Sequence, residues 1–434
     1  MNRFFVLLLL GLNLPLTVQG QFGNPLKQLL RRDTSAVVRR VLADAAGHRV
    51  QILYTQIQRD AQGRPSFKSY AYRLKPNEYF YPASTVKLPV AALALELING
   101  GRPPQTWPKG YAPPTRETPL QIDSAYAGQT TVRTDSTAFG NKPTIGQYIR
   151  KVLLVSDNDA FNRLYEFIGY NNLQALLGRR QLGSTRIVHR LSVGDKAPAS
   201  GQTNPFVFFL DSAGHSVPYR LSAQFKTDHL WPSPLTLKGI DVGNAYFEND
   251  KLVQKPMNFG VKNFFPLNEQ QQVLRALLFP EFVPANQRFE LLPADYAFLR
   301  KYLSLPPRLS QFPKYNPQDY PDNYAKFLLA GGPPAPLPEG VRVYNKIGQA
   351  YGFLIDNACI VDSVRGVEFM LSAVVYTNAD GVLNDDKYEY DSVGFPFLCR
   401  LGQLVYEYEL RRTSPARTQQ INGYWSAKNE QAAP

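Results

Sequence analysis

Tyr81-Pro82-Ala83-Ser84-Thr85-Val86-Lys87-Leu88-Pro89, continuing into Val90-Ala91-Ala92-Leu93-Ala94-Leu95-Glu96-Leu97, reads as a tight loop that delivers a serine onto the first turn of a buried helix. Lys87 follows Ser84 by three residues, and residues three apart on a helix share a face. A serine hydroxyl is a poor nucleophile until a base takes its proton. A lysine held in an apolar wall can act as that base, because desolvation lowers its pKa. The start of a helix also offers unpaired N–H groups and partial positive charge where an oxyanion would form. Taken alone, the same spacing also fits an N-capping serine with a surface lysine, so the rest of the chain must decide.

The composition sets the bounds. In 434 residues, 44% hydrophobic and 12% aromatic content predict a globular protein with a substantial core. Met1-Asn2-Arg3 followed by an apolar run from Phe4 to Leu12, then Val18-Gln19-Gly20, reads as a secretory signal peptide over residues 1–20. The run is broken by Asn13 and Pro15 and is too short to span a membrane. This predicts a secreted or periplasmic protein without a stable membrane anchor. Cys359 and Cys399 could form one disulfide, or stay as buried thiols. Two cysteines and the scattered His48, His189, His215 and His229 show no metal-ligand spacing. The net charge is +13, but the basic residues fall in short pairs such as Arg179-Arg180 and not in an aromatic-interleaved stripe. Nucleic acid is therefore not an expected partner, and the chain is expected to be a monomer.

Along the chain, Leu26–Leu42 has a helical pattern, and Arg49–Gln58 with Ser66–Tyr72 reads as a β-hairpin. Residues 144–182 read as helices interrupted at Ser156-Asp157-Asn158, and residues 190–255 as small hairpins. Val341–Lys346, Tyr351–Val361 and Val367–Thr377 read as three strands, and Asp391–Leu410 as a long helix. The economical assembly joins the two ends of the chain. It is an α/β fold with an antiparallel sheet of five strands flanked by the N- and C-terminal helices. An all-helical subdomain, residues 100–340, is inserted in it, giving one catalytic unit over residues 25–412 and a loose polar tail over 413–434. A cleft is expected where sheet and helical block meet.

Three motifs fall on that frame in order: Ser84-x-x-Lys87 at a helix start, Ser156-Asp157-Asn158 at a helix junction, and Lys346-Ile347-Gly348 on a strand. Together they resemble the signature of the penicillin-recognising serine β-lactamases and transpeptidases, closest to the class A branch. The resemblance implies an amide hydrolase that opens a β-lactam or a related amide through an acyl-serine, without metal or organic cofactor. A cell-wall D-alanyl-D-alanine peptidase or transpeptidase, or a decayed wall-binding relative, is the alternative. The resemblance thus makes a small-molecule β-lactam or a wall peptide the expected partner. It implies Ser84 as nucleophile and Lys87 as its base. Ser156 would relay a proton, Asn158 would bind substrate and hold Lys87, and Lys346 would attract a substrate carboxylate. Gly348 and Gln349 would line the substrate strand, with the N–H groups of Ser84 and Gln349 forming an oxyanion hole. Asp157 would order its own turn.

Two departures stand out. Ile347 occupies the position of the family's carboxylate-binding hydroxyl. The loop Thr185–Asp195, where class A enzymes carry a glutamate that activates the deacylating water, contains none. Asp195 is the nearest carboxylate and the candidate for deacylation, with His189 as a second candidate.

Overall fold

A computed structural model describes residues 23–100, 107–193, 201–212, 214–225 and 233–430. The signal-peptide expectation lies outside the described residues. The chain opens with helices α1 (Pro25–Arg32) and α2 (Ala36–Ala43) and strands β1 (Gln51–Arg59) and β2 (Pro65–Tyr72). A 3-10 turn, Ala83–Val86, leads into α3 (Lys87–Gly100). Then come β3 (Leu120–Ile122), α4 (Ile145–Val155), α5 (Asn158–Ile168) and α6 (Tyr170–Arg179). Short strands follow: β4 (Phe206–Ser212), β5 (His215–Leu221), β6 (Asp241–Val242), β7 (Ala245–Glu248), β8 (Lys251–Val253) and β9 (Met257–Asn258). Helices α7 (Leu267–Leu278), α8 (Pro293–Ser304) and α9 (Phe327–Ala330) precede β10 (Val341–Ala350), β11 (Phe353–Asp362) and β12 (Val367–Tyr376). The described chain ends with β13 (Val382–Leu383), α10 (Phe395–Leu410) and α11 (Pro415–Glu430).

Among the described residues the main sheet has five strands in the order β10-β11-β12-β1-β2, all antiparallel. The two ends of the chain thus build one sheet, as the strand pattern predicts. Strands β11 and β12 are buried along their whole length, which explains their near-continuous apolar runs. Helices α1, α2 and α10 cover one face through Leu26, Val41, Phe397 and Leu401. Helix α7 covers β11 and β12 on the other face, and α8 packs on β10. Helix α3 is apolar on every side from Leu88 to Leu95, as befits a helix surrounded by protein. Its one acidic residue, Glu96, pairs with Arg180 at 2.7 Å.

Several expectations are corrected. The inserted region is not all helical: β3-β4-β5 form a small sheet, and β13-β7-β8 and β6-β9 form two more. Phe206 and Phe208 are buried on one face of that first sheet, and β4 and β5 pair as one of the small hairpins expected over residues 190–255. The helical pattern over Leu26–Leu42 breaks at Asp33, whose carboxylate takes Arg400 at 2.9 Å. Residues Tyr390–Gly394 form a π-turn ahead of α10. The expected loose tail is the helix α11. Ile421 and Trp425, four residues apart, are both buried. The Trp425 ring stacks on Tyr344 at 4.7 Å, and its Nε1–H donates to Glu368 at 2.7 Å. Glu368 in turn accepts both Nε and Nη2 of fully buried Arg59. Cys359 and Cys399 are free thiols. No helix among the described residues is long and apolar enough to cross a membrane.

Candidate active site

Ser84 is half-buried in the 3-10 turn that feeds α3. The preceding Ala83 has φ +47°, uncommon for a residue with a Cβ, and marks the sharp bend that presents the serine. Thr85 Oγ1 donates to Pro82 O at 2.7 Å and staples the bend. Strand β10 runs directly against it. A Cβ on Gly348 would stand 2.6 Å from Pro82 O and 3.2 Å from Ala83 Cβ. Only glycine allows this approach, which is the physical reason for Gly348 at the end of its motif.

The second motif caps two helices at once. Ser156 closes α4 in the left-handed conformation, with φ 61° and ψ 36°. Asp157 caps α5 by accepting the Ala160 N–H at 2.7 Å, so its role is to order the turn. This geometry turns the Ser156 carbonyl, the Ser156 hydroxyl and the Asn158 amide toward Lys87. Lys87 Nζ donates to Ser156 O at 2.5 Å and Asn158 Oδ1 at 2.6 Å, and lies 3.3 Å from Ser156 Oγ. From the opposite wall, Lys346 Nζ donates to Ser156 Oγ at 2.8 Å. The structure therefore brings Lys87, Ser156, Asn158 and Lys346 into one hydrogen-bonded cluster.

Both lysines are almost wholly buried. Burial pushes the Lys87 ammonium down to about 7, with nearby Asp157 only partly offsetting it. Lys346 is also pushed well down, by burial first and by the neighbouring charge of Lys87 second. A neutral amine has two N–H bonds and one lone pair. The two N–H bonds of neutral Lys87 are taken by Ser156 O and Asn158 Oδ1, which leaves the lone pair for a hydroxyl proton.

Beneath Lys346 lies a layer that the motifs do not announce. Lys326 is buried and donates to Leu303 O at 2.7 Å, Val343 O at 2.8 Å and Asn345 Oδ1 at 2.5 Å. Asn345 passes a hydrogen bond to Asp356 at 2.8 Å, and Asp356 also accepts the Leu328 N–H at 2.9 Å. Burial lowers the Lys326 pKa and raises that of Asp356. Lys326 also adds to the positive field that depresses Lys346. The three residues lie 11 to 30 positions apart, so no local spacing reveals them. The available signal is a lone charged residue, Asp356, inside the apolar β11 run.

The loop after the helical block is pinned from several sides. Asn158 Nδ2 donates to Ser192 Oγ at 2.9 Å. Asn162 makes paired bonds to the Leu191 backbone, at 3.0 and 2.8 Å. Buried Glu166 holds Arg190 at 2.6 Å. His189 engages both ring nitrogens: Nδ1 meets Arg190 O at 2.6 Å, and Nε2 accepts the Asn263 N–H at 3.3 Å. That makes His189 a structural tie. Asp195 lies outside the described residues.

Ser84, Ser156, Asn158, Ile347 and Gln349 line one cleft of about 540 Å3. Tyr81, Tyr351, Tyr388 and Tyr390 form much of its remaining wall, and Asp386 is the only carboxylate lining it among the described residues. Residues 33–210 match the family model described as the beta-lactamase enzyme family. No curated protein matches the sequence. Among solved structures, the chain is similar to a beta lactamase from Xanthomonas campestris, at 16% identity over 88% of this chain and 97% of that one, with a TM-score of 0.43. It is also similar to a class A beta-lactamase from Clostridium kluyveri, at 13% identity over 86% and 98%, with a TM-score of 0.42. PBP-A is similar at 13% identity over 89% and 96%, with a TM-score of 0.45. Likenesses this distant leave the activity to be argued from the residues. The family match covers Ser84, Lys87, Ser156 and Asn158, and it ends before the strand that carries Lys346.

Proposed function

We propose that the chain is an exported serine hydrolase of the class A β-lactamase type, acting as a monomer through an acyl-Ser84 intermediate. The observation that carries this reading is Ser156 Oγ, 2.8 Å from Lys346 Nζ and 3.3 Å from Lys87 Nζ at the edge of the Ser84 cleft. Neutral Lys87 takes the Ser84 hydroxyl proton as Oγ attacks the amide carbonyl. The developing oxyanion is met by the N–H groups of Ser84 and Gln349. As the C–N bond breaks, the Ser156 hydroxyl gives its proton to the leaving nitrogen. Ser156 is reprotonated from the ammonium of Lys87, with Lys346 holding its oxygen in place. Lys346, on the wall opposite Lys87, favours a substrate that carries a carboxylate. Water then has to release the acyl group, with Asp195 as the candidate activating carboxylate.

The penicillin-binding peptidase reading has its own support. Ile347 offers no hydroxyl to a substrate carboxylate, and Asp386 is the only carboxylate lining the cleft among the described residues. A long-lived acyl-enzyme suits that lining. Labelling with a fluorescent penicillin, followed by turnover of a chromogenic cephalosporin, separates the readings. Fast turnover supports the lactamase, and a stable adduct the peptidase. No labelling, with Ser84→Ala identical to wild type, would overturn both.

A further inference from the structure

A larger cavity, about 700 Å3, lies away from the cleft, between α4 and α8 and the segment after α8. Its volume is in the range of roughly 300–1,000 Å3 typical of small-molecule sites. Its mouth is apolar and exposed. Phe139 is 80% exposed and Phe312 40%, and the two rings meet edge to face at 5.5 Å. Leu309 beside them is 52% exposed. Large apolar side chains gathered at a cavity mouth are uncommon on a surface that binds nothing.

The polar lining is unequal in charge. Glu117 is neutralised by Arg150 and Arg116, and Arg150 also donates to Tyr302 at 3.1 Å. Lys142 and Lys301 line the same cavity, and among the described residues no carboxylate pairs with either. Ser310 supplies a separate observation. It lines the cavity and is only 6% exposed, yet its hydroxyl has no hydrogen-bond partner among the described residues. A buried hydroxyl left unpaired costs stability, and this one stands at the cavity wall beside the two lysines. Thr144 and Gln147 on this wall are spoken for: Thr144 caps α4 by accepting from Gln147 N, and the Gln147 amide donates to Thr137.

We propose that this cavity is a second, non-catalytic binding site for an amphipathic monocarboxylate. The hydrocarbon or aromatic body would lie along Phe139, Phe312 and Leu309, and the carboxylate would meet Lys142 and Lys301, which line the same cavity. An occupant would touch α4, the helix that ends at Ser156, and α8, which packs on the strand carrying Lys346.

The test is calorimetric titration of the whole protein with dodecanoate and, in parallel, dodecyltrimethylammonium, both below their micelle thresholds. One saturable dodecanoate site per chain is expected, with the cationic amphiphile at least about tenfold weaker. Lys142→Glu combined with Lys301→Glu should lower dodecanoate affinity about tenfold or more, with thermal stability and penicillin labelling unchanged. Equal binding of the two amphiphiles overturns the proposal without relying on any variant. Unchanged binding by the charge-reversed protein, or binding only to lipid vesicles, overturns it as well.

Discussion

The two walls of the catalytic cleft are built differently. The inner wall, made of α3, the α4–α5 junction and β10, holds Lys87, Ser156, Asn158 and Lys346 on regular elements, with each ammonium bonded to named acceptors. The outer wall is loop: Leu191 and Ser192 on one side, and residues 384–390 with their tyrosines on the other. Those loops are tied by backbone and amide bonds, but they present one carboxylate, Asp386, to the cleft among the described residues. In the proposed mechanism the inner wall serves the chemistry that joins substrate to Ser84. In that mechanism, acylation and release of the acyl group therefore rest on separate parts of the chain and can be broken separately.

The largest effect should come from the inner wall. Ser84→Ala should abolish covalent labelling by a penicillin. Lys87→Met should lower the acylation rate by about 10²–10⁴-fold, the usual worth of a positioned base, in single-turnover kinetics. The same substitution should act oppositely on stability. The Lys87 pKa falls from its ordinary 10.5 in the unfolded chain to about 7 when folded. Below pH 7 the folded protein must keep a buried charge, so Lys87 destabilises it fully there. The penalty shrinks between pH 7 and 10.5 and is gone above that. Lys87→Met should therefore raise the melting temperature most at pH 6 and hardly at pH 10.

Wild-type acylation should rise with pH through a midpoint about 7 as Lys87 loses its proton. An acylation rate flat from pH 5.5 to 8.5 would remove Lys87 from the role of base. Away from the cleft, Trp425→Ala should cost about 3 kcal/mol in denaturant unfolding, through lost burial and the lost bond to Glu368. Labelling of the folded protein should persist in that variant. Ile347→Thr should have the smallest effect. It restores one hydroxyl to the cleft and should improve acylation by carboxylate-bearing substrates about fivefold, the worth of one net hydrogen bond of about 1 kcal/mol. No change would place the carboxylate elsewhere in the cleft.

The sequence foretold most where local pattern and structure coincide. The five strands carry apolar runs, and each motif sits on an element whose geometry it helps create, such as Asp157 capping α5 and Gly348 under Pro82. It foretold least where partners lie far apart in the chain. Lys326, Asn345 and Asp356 meet only after α9 and two strands have folded together. The tail helix was legible in principle from Ile421 and Trp425, yet their mostly polar neighbours in the 16-residue helix dilute that pair. In the inserted region the β4–β5 and β7–β8 hairpins are local, whereas β3, β6, β9 and β13 have two or three residues each and pair with distant partners, too short a run to carry a strand signal.

The central claim, acylation of Ser84, is tested most directly by mass spectrometry of the intact and digested protein after brief exposure to a penicillin. The account predicts a mass gain of one intact penicillin, carried by the peptide that contains Ser84 and absent from Ser84→Ala. An unchanged mass throughout the time course and under rapid acid quench, or an adduct that persists in Ser84→Ala, would contradict it.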